Sequence, residues 1–122
     1  MATILVVEDN PDNMTLAVFL LGTVGHTVLT ATDAESGLTL AREAAPDLIL
    51  MDIQLPGMDG LEAITLLKAD ESTRQIPVIA LTALAMKGDE ERIRAAGCDG
   101  YIAKPMRYKE LLAAVADRLA PR

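Results

Sequence analysis

Five polar residues stand at the ends of four short apolar runs. Glu8 and Asp9 follow Ile4–Val7, Asp52 follows Leu48–Met51, Thr82 follows Val78–Leu81, and Lys104 follows Gly100–Ala103. If the fold gathers them, three carboxylates, a hydroxyl and an ammonium share one crevice. Three carboxylates together repel: at an effective dielectric of 20 and about 4 Å, each pair costs on the order of 4 kcal/mol before relaxation. Lys104 offsets part of that, and a divalent cation would offset more. An all-oxygen, open, wet site favours Mg²⁺. A metal there would also neutralise charge on a transferring phosphoryl group. Asp52 would be the nucleophile, since carboxylates form aspartyl phosphates. The Thr82 hydroxyl and Lys104 ammonium could hold two phosphoryl oxygens. Singly, each residue has a plainer reading: Asp9, Asp52 and Thr82 can cap following helices, and Lys104 can be solvated.

Whether they meet depends on the elements that carry them. Four apolar residues in a row, without alternation, suit a strand buried on both faces. Ile4–Val7, Leu48–Met51 and Val78–Leu81 read this way; Thr27–Ala31 and Gly100–Ala103 complete five strands. Helical spacing joins them. Asn10 and Pro11 open a first helix that closes before Gly25, and Thr32 with Glu35 has capping-box spacing for a second, stopped by Pro46. A third helix starts at Asp59, a fourth is expected over 83–96 with Gly97 as its cap, and Leu111 to Leu119 mark a fifth. Residues 70–75 read as polar loop.

Strands alternating with helices imply a parallel sheet covered on both faces. At this size the flavodoxin-like (βα)5 doubly wound order 2-1-3-4-5 is expected, as one domain over 1–122. Parallel strands share one C-terminal edge and lie about 4.8 Å apart. Asp9 and Thr82 then neighbour Asp52, and Lys104, roughly 10 Å away, reaches inward on its long stem. Polar residues at four of five strand ends, all on one edge, favour the shared site over four separate caps.

Composition sets bounds. The 122 residues carry a net charge of −7, from 18 acidic and 11 basic side chains, which argues against nucleic acid as a partner. Cys98 is the single cysteine, so no internal disulfide forms and a reducing, cytoplasmic setting is expected. No run approaches a membrane span, and no basic leader precedes the first strand. His26, the only histidine, reads as structural or solvent-facing.

The pieces Val7-Glu8-Asp9-Asn10, Leu50 to Gly60, Ala80-Leu81-Thr82-Ala83 and Tyr101-Ile102-Ala103-Lys104-Pro105 occur in an order that resembles the receiver domain of two-component response regulators, CheY-like and single-domain. Residues 84–92 look like the DivK-type cell-cycle and polarity regulators. The resemblance implies that Asp52 accepts a phosphoryl group from a phosphohistidine of a kinase or phosphotransfer protein. It implies Mg²⁺ on Asp9, Asp52 and the backbone carbonyl of Gln54, with Glu8 acting nearby, through water or directly. It implies Thr82 and Tyr101 as a switch pair altering the surface of the fourth helix, fifth strand and fifth helix for an effector protein. It also implies a cis Lys104–Pro105 bond, and no catalysis beyond the chain's own phosphorylation and dephosphorylation. Kinase recognition is expected at Asn10 to Met14 and at Pro105-Met106.

Two departures stand out. Glu8 occupies a position where many members have Asp, and Leu84, apolar, lies two residues after Thr82, which suggests a long-lived phosphoform. With Pro121-Arg122 closing the chain, output is expected through protein contact or onward phosphotransfer. Competing readings are a pseudo-receiver binding module that no longer cycles phosphate, and a haloacid-dehalogenase-type phosphatase. The latter typically needs an Asp two residues after the nucleophile, where this chain has Gln54. A flavodoxin-like redox carrier is disfavoured by few aromatics (Phe19, Tyr101, Tyr108) and no phosphate-binding loop after the first strand.

Overall fold

The computed structural model describes residues 2–55, 57–83 and 87–119, without the side chains of 87–89. Five strands, β1 (Thr3–Val7), β2 (Thr27–Ala31), β3 (Leu48–Asp52), β4 (Val78–Thr82) and β5 (Gly100–Ala103), alternate with α1 (Pro11–Thr23), α2 (Ala34–Ala44), α3 (Gly60–Ala69), α4 (Lys87–Ala95) and α5 (Tyr108–Leu119). All strand pairs are parallel, in the order β2-β1-β3-β4-β5 expected from the sequence.

The apolar runs divide their side chains by the two-residue period of a strand. Leu5, Val7, Ile49, Met51, Val78 and Ala80 face α2 and α3. Ile4, Val6, Leu48, Leu50, Ile79 and Leu81 face α1 and α5. Each run is therefore buried on both sides, which is why it lacks polar alternation. At Gly37 on α2 an added Cβ would press on the Val7 side chain, so a small residue sets how closely α2 lies on β1.

Helix starts follow local chemistry. Asn10 Oδ1 accepts from the N–H groups of Asp12 and Asn13, with Pro11 in the first turn. Asp59 accepts from Glu62 N–H to start α3. The capping box expected at Thr32 and Glu35 does not form. Asp33 caps α2 instead, accepting from Ser36 N–H at 2.7 Å, where its charge also complements the positive end of the helix. The fourth helix was expected from Ala83. Ala83 is instead in a bend, and its N–H goes to Gln54 Oε1 at 3.3 Å; helix is present from Lys87. Gly97 ends that segment at φ 99°, where a glycine is favoured. His26 is structural: its Nδ1 accepts from Ala2 N–H and ties down the N-terminal strand. Among the described residues no helix is long and apolar enough to cross a membrane.

Candidate functional site

Strand register decides which polar residues meet. Val7 pairs with Met51, Asp52 with Leu81, and Thr82 with Ala103, so each chemistry-bearing residue lies at or just past the last paired position. The backbone continues the alignment: Ile53 N–H donates to Leu81 O, and Lys104 N–H donates to Thr82 O at 2.7 Å. Glu8, Asp52 and Thr82 are buried, while Asp9 is exposed at the rim.

The carboxylates do converge. Glu8, Asp9 and Asp52 each offer an oxygen, and these lie within 4.8 Å of one another. Lys104 reaches in as expected, its Nζ 2.9 Å from both Glu8 Oε1 and Asp52 Oδ2. The other Asp52 oxygen accepts from Gln54 N–H at 2.9 Å. Neither Glu8 oxygen has an aligned hydrogen bond, so its contact with Lys104 is an ion pair of poor angle.

Burial and these contacts pull the two buried acids apart. Burial raises the Glu8 carboxyl to about 7, and the neighbouring Asp52 carboxylate adds to the rise despite Lys104. Burial also acts upward on Asp52, but the neighbouring Glu8 carboxyl and the hydrogen bonds from Gln54 N–H and Lys104 outweigh it and hold Asp52 below the usual carboxylate range. Lys104 is raised: its burial is outweighed by Asp52 and Glu8. Asp52 is thus kept ionised and Glu8 is the proton-holding member of the pair.

Gly60 backs this arrangement. It donates its N–H to Ile53 O, and an added Cβ would overlap the Asp52 carbonyl oxygen and Ile53 Cα. Gly57 adopts φ 77°, where a glycine is favoured. The Asp59-Gly60 pair therefore combines a helix cap with the only residue type that lets α3 start against the backbone of Asp52 and Ile53.

The sequence of residues 4–116 matches the family described as response regulator receiver domain. The chain is a member of that family. The receiver is 54% identical over 104 residues to the polar-differentiation response regulator DivK of Brucella ovis, covering 85% of each chain, and 53% identical over the same span to that of Brucella anthropi. It is similar in structure to the receiver domain of a sensor histidine kinase from Pseudomonas aeruginosa PAO1, crystallised with a magnesium ion in its active site cleft (TM-score 0.90, 38% identity, 97% of each chain). It is also similar to the chemotaxis response regulator CheY4 of Vibrio cholerae (TM-score 0.92, 27% identity, 98% of this chain and 99% of that one).

The remaining expected residues fall as follows. Tyr101 is half-buried on β5, paired with Ala80, and packs against the α2–α3 side of the core. Lys104–Pro105 is cis, as the receiver resemblance implied. Leu84, with the long-lived phosphoform inferred from it, lies outside the described residues, as do Pro56 and the chain end at Pro121-Arg122. Two features were not read from the sequence. The Gln54 side chain accepts from Ala83 N–H just past β4, and a long polar side chain two residues past Asp52 gives no hint of that target. A largely apolar cleft of about 740 Å³ lies between α1 and the start of α5, with Leu16, Leu20, Met106 and Tyr108 in its lining and Arg107, Lys109 and Glu110 at its polar side. Leu16 and Phe19 lie off the helically spaced apolar positions of α1 and are exposed.

Proposed function

We propose that this receiver is a phosphorelay switch in which Asp52 accepts a phosphoryl group from a phosphohistidine of a kinase or phosphotransfer protein. The observation that carries this reading is Asp52 itself: 1% exposed, yet held ionised at the mouth of the sheet by Lys104 and Gln54 N–H. A carboxylate kept ionised is a ready nucleophile. One Asp52 oxygen attacks phosphorus, the P–N bond to the imidazole breaks, and its electron pair stays on the ring nitrogen. Lys104 follows the charge onto a phosphoryl oxygen, and the buried Thr82 hydroxyl turns to another. Drawing Thr82 toward the phosphoryl group vacates space that Tyr101 enters, altering the α4–β5–α5 surface that an effector reads. The chain catalyses only its own phosphorylation and dephosphorylation, in the cytoplasm. The names of its Brucella relatives support a role in polar differentiation.

The donor set fits Mg²⁺. Three carboxylate oxygens converge, and buried Glu8 lacks aligned hydrogen bonds. Asp9, Asp52, the Gln54 backbone carbonyl and Glu8, directly or through water, would hold it. Bound there, Mg²⁺ neutralises charge on the phosphoryl oxygens. A proton on Glu8 competes with the cation, and Glu8 loses that proton near 7. Mg²⁺ affinity, measured by calorimetry, should rise about tenfold between about pH 6 and pH 8, and Glu8→Gln should flatten the rise. A flat wild-type profile would remove Glu8 from the site.

The cleft beside α1 is where the phosphodonor docks. It is largely apolar, Met106 two residues past Lys104 lines it, and Leu16 and Tyr108 of its lining are exposed. The recognition surface expected at Asn10 to Met14 thus extends one to two turns along α1. Leu16→Glu places a charge in that apolar seat and should slow transfer from a phosphorylated histidine phosphotransfer protein about tenfold or more. Phosphorylation by acetyl phosphate, which needs no docking, should slow far less. Equal slowing of both would refute the assignment.

A further inference from the structure

Where α4, β5 and α5 meet, two arginines open onto one cavity that the Asp52 cluster does not use. The cavity, about 340 Å³, is lined by Arg94, Cys98, Asp99, Gly100, Tyr101 and Arg118. Arg118 is half-buried in the last turn of α5, and its guanidinium lies across Gly100: a Cβ there would stand 3.4 Å from Nη2, 3.7 Å from Nε and 3.9 Å from Cζ. Packing on the bare strand holds it, since among the described residues its guanidinium has no ion pair or hydrogen bond. The other polar groups of the lining are already engaged. Asp99 Oδ2 accepts from Lys68 Nζ at 2.9 Å and from Val78 N–H at 2.8 Å. Arg94, on the exposed rim, has Nη2 2.9 Å from Glu90 Oε1. The Cys98 thiol donates to Ile93 O. Lys68 thus answers Asp99 and Glu90 answers Arg94, which leaves Arg118 as the uncompensated charge of the cavity.

We propose that this cavity is a binding site for a small molecule carrying a phosphate group. A cation drawn part-way out of water without a counter-charge is unfavourable, and an oxyanion beside it restores the balance. Arginine presents a planar fork of N–H donors that matches phosphate oxygens two at a time. A carboxylate has two oxygens and fills one such fork. A tetrahedral phosphate has oxygens for Arg118 and for the N–H groups that Arg94 does not spend on Glu90. The volume lies near the lower end of small-molecule sites, about 300–1,000 Å³, which suits a compact phosphorylated metabolite. The chain's net charge of −7 disfavours anions over most of its surface, so the local excess at Arg118 decides where one can settle. None of these groups belongs to the Asp52 cluster, so binding needs neither Mg²⁺ nor phosphorylation.

The test titrates the full chain, free of Mg²⁺ and at fixed ionic strength, with inorganic phosphate or with acetate at slightly alkaline pH. Assigned amide NMR spectra locate the binding and report on folding in the same measurement. Phosphate should shift the amides of Cys98 to Tyr101 and the Nε–H of Arg118, saturating at about a few millimolar, the range for two or three charge-assisted hydrogen bonds. Acetate should bind about tenfold more weakly. Arg118→Gln removes the uncompensated charge and should weaken phosphate about tenfold or more. Arg118→Lys keeps the charge without the fork and should fall between. Asp52→Asn should bind phosphate as the parent does, so failure of the phosphoacceptor reading leaves this site standing. Shifts that do not saturate below about 50 mM, or that persist in Arg118→Gln, would mean an adventitious ion only and overturn the proposal. Acetate binding as tightly as phosphate would overturn the choice of a phosphate group.

Discussion

Lys104→Met is expected to cost about 3 kcal/mol of folding stability at about pH 8, and clearly less at about pH 5.5. Lys104 is the cation facing both buried carboxylates, 2.9 Å from each. Removing one partner of a buried pair leaves the other charge without compensation, which is the expensive case. The pH dependence follows from Glu8. Its folded carboxyl titrates at about 7, above the ordinary 4.5. Between those values the native state holds a proton that the unfolded chain lacks, so native stability falls as pH rises across that window. Near pH 8 both carboxylates are charged and Lys104 serves two; near pH 5.5 Glu8 is neutral and Lys104 serves one. Asp52, lowered from 3.8, contributes stability above that value that is lost as pH falls through its folded value. Lys104, raised from 10.5, contributes below 10.5 and loses its part as pH rises through its folded value. Neither window intrudes between about pH 5.5 and pH 8. Urea unfolding followed by circular dichroism at both pH values checks this. Equal losses at both would mean that Glu8 is not the proton-holding member.

Gly60→Ala is expected to destabilise the receiver by about 3 kcal/mol, at the upper end for overpacking. The new methyl would overlap backbone atoms of Asp52 and Ile53, which cannot rotate away as a side chain could. The displaced carbonyl belongs to Asp52, the proposed phosphoacceptor, so phosphorylation by acetyl phosphate should slow as well. Gly22 is the internal control. It lies in the last turn of α1 with nothing within 4 Å of its would-be Cβ. Gly22→Ala should therefore stabilise, by about 0.5 kcal/mol, through helix propensity. Thermal unfolding of the two variants should shift in opposite directions. Shifts of the same sign would contradict the steric argument.

The fold was legible because its strands are buried on both faces, and Ile4–Val7, Leu48–Met51 and Val78–Leu81 announce that directly. The meeting of Glu8, Asp9, Asp52, Thr82 and Lys104 was legible for a topological reason: parallel strands of similar length deliver their last residues to one edge. What was not legible depends on distances that a pattern lacks. Thr32 with Glu35 has the spacing of a capping box, yet the carboxylate one residue later takes the cap. Ala83 has helix propensity, yet its N–H is claimed by Gln54 across the sheet. That Glu8 is buried and Asp9 exposed decides which acid holds a proton, and two adjacent acids in a sequence do not say which turns inward.

The central claim is that Asp52 is the phosphoacceptor. The most direct test is the intact mass of the chain after incubation with acetyl phosphate and Mg²⁺, beside Asp52→Asn and a metal-free control. The expected result is one added phosphoryl group that requires Mg²⁺, is removed by hydroxylamine and is absent in Asp52→Asn. No added mass, even with rapid quenching and a phosphoramidate donor, would contradict the claim and leave a pseudo-receiver that works through its unmodified surface.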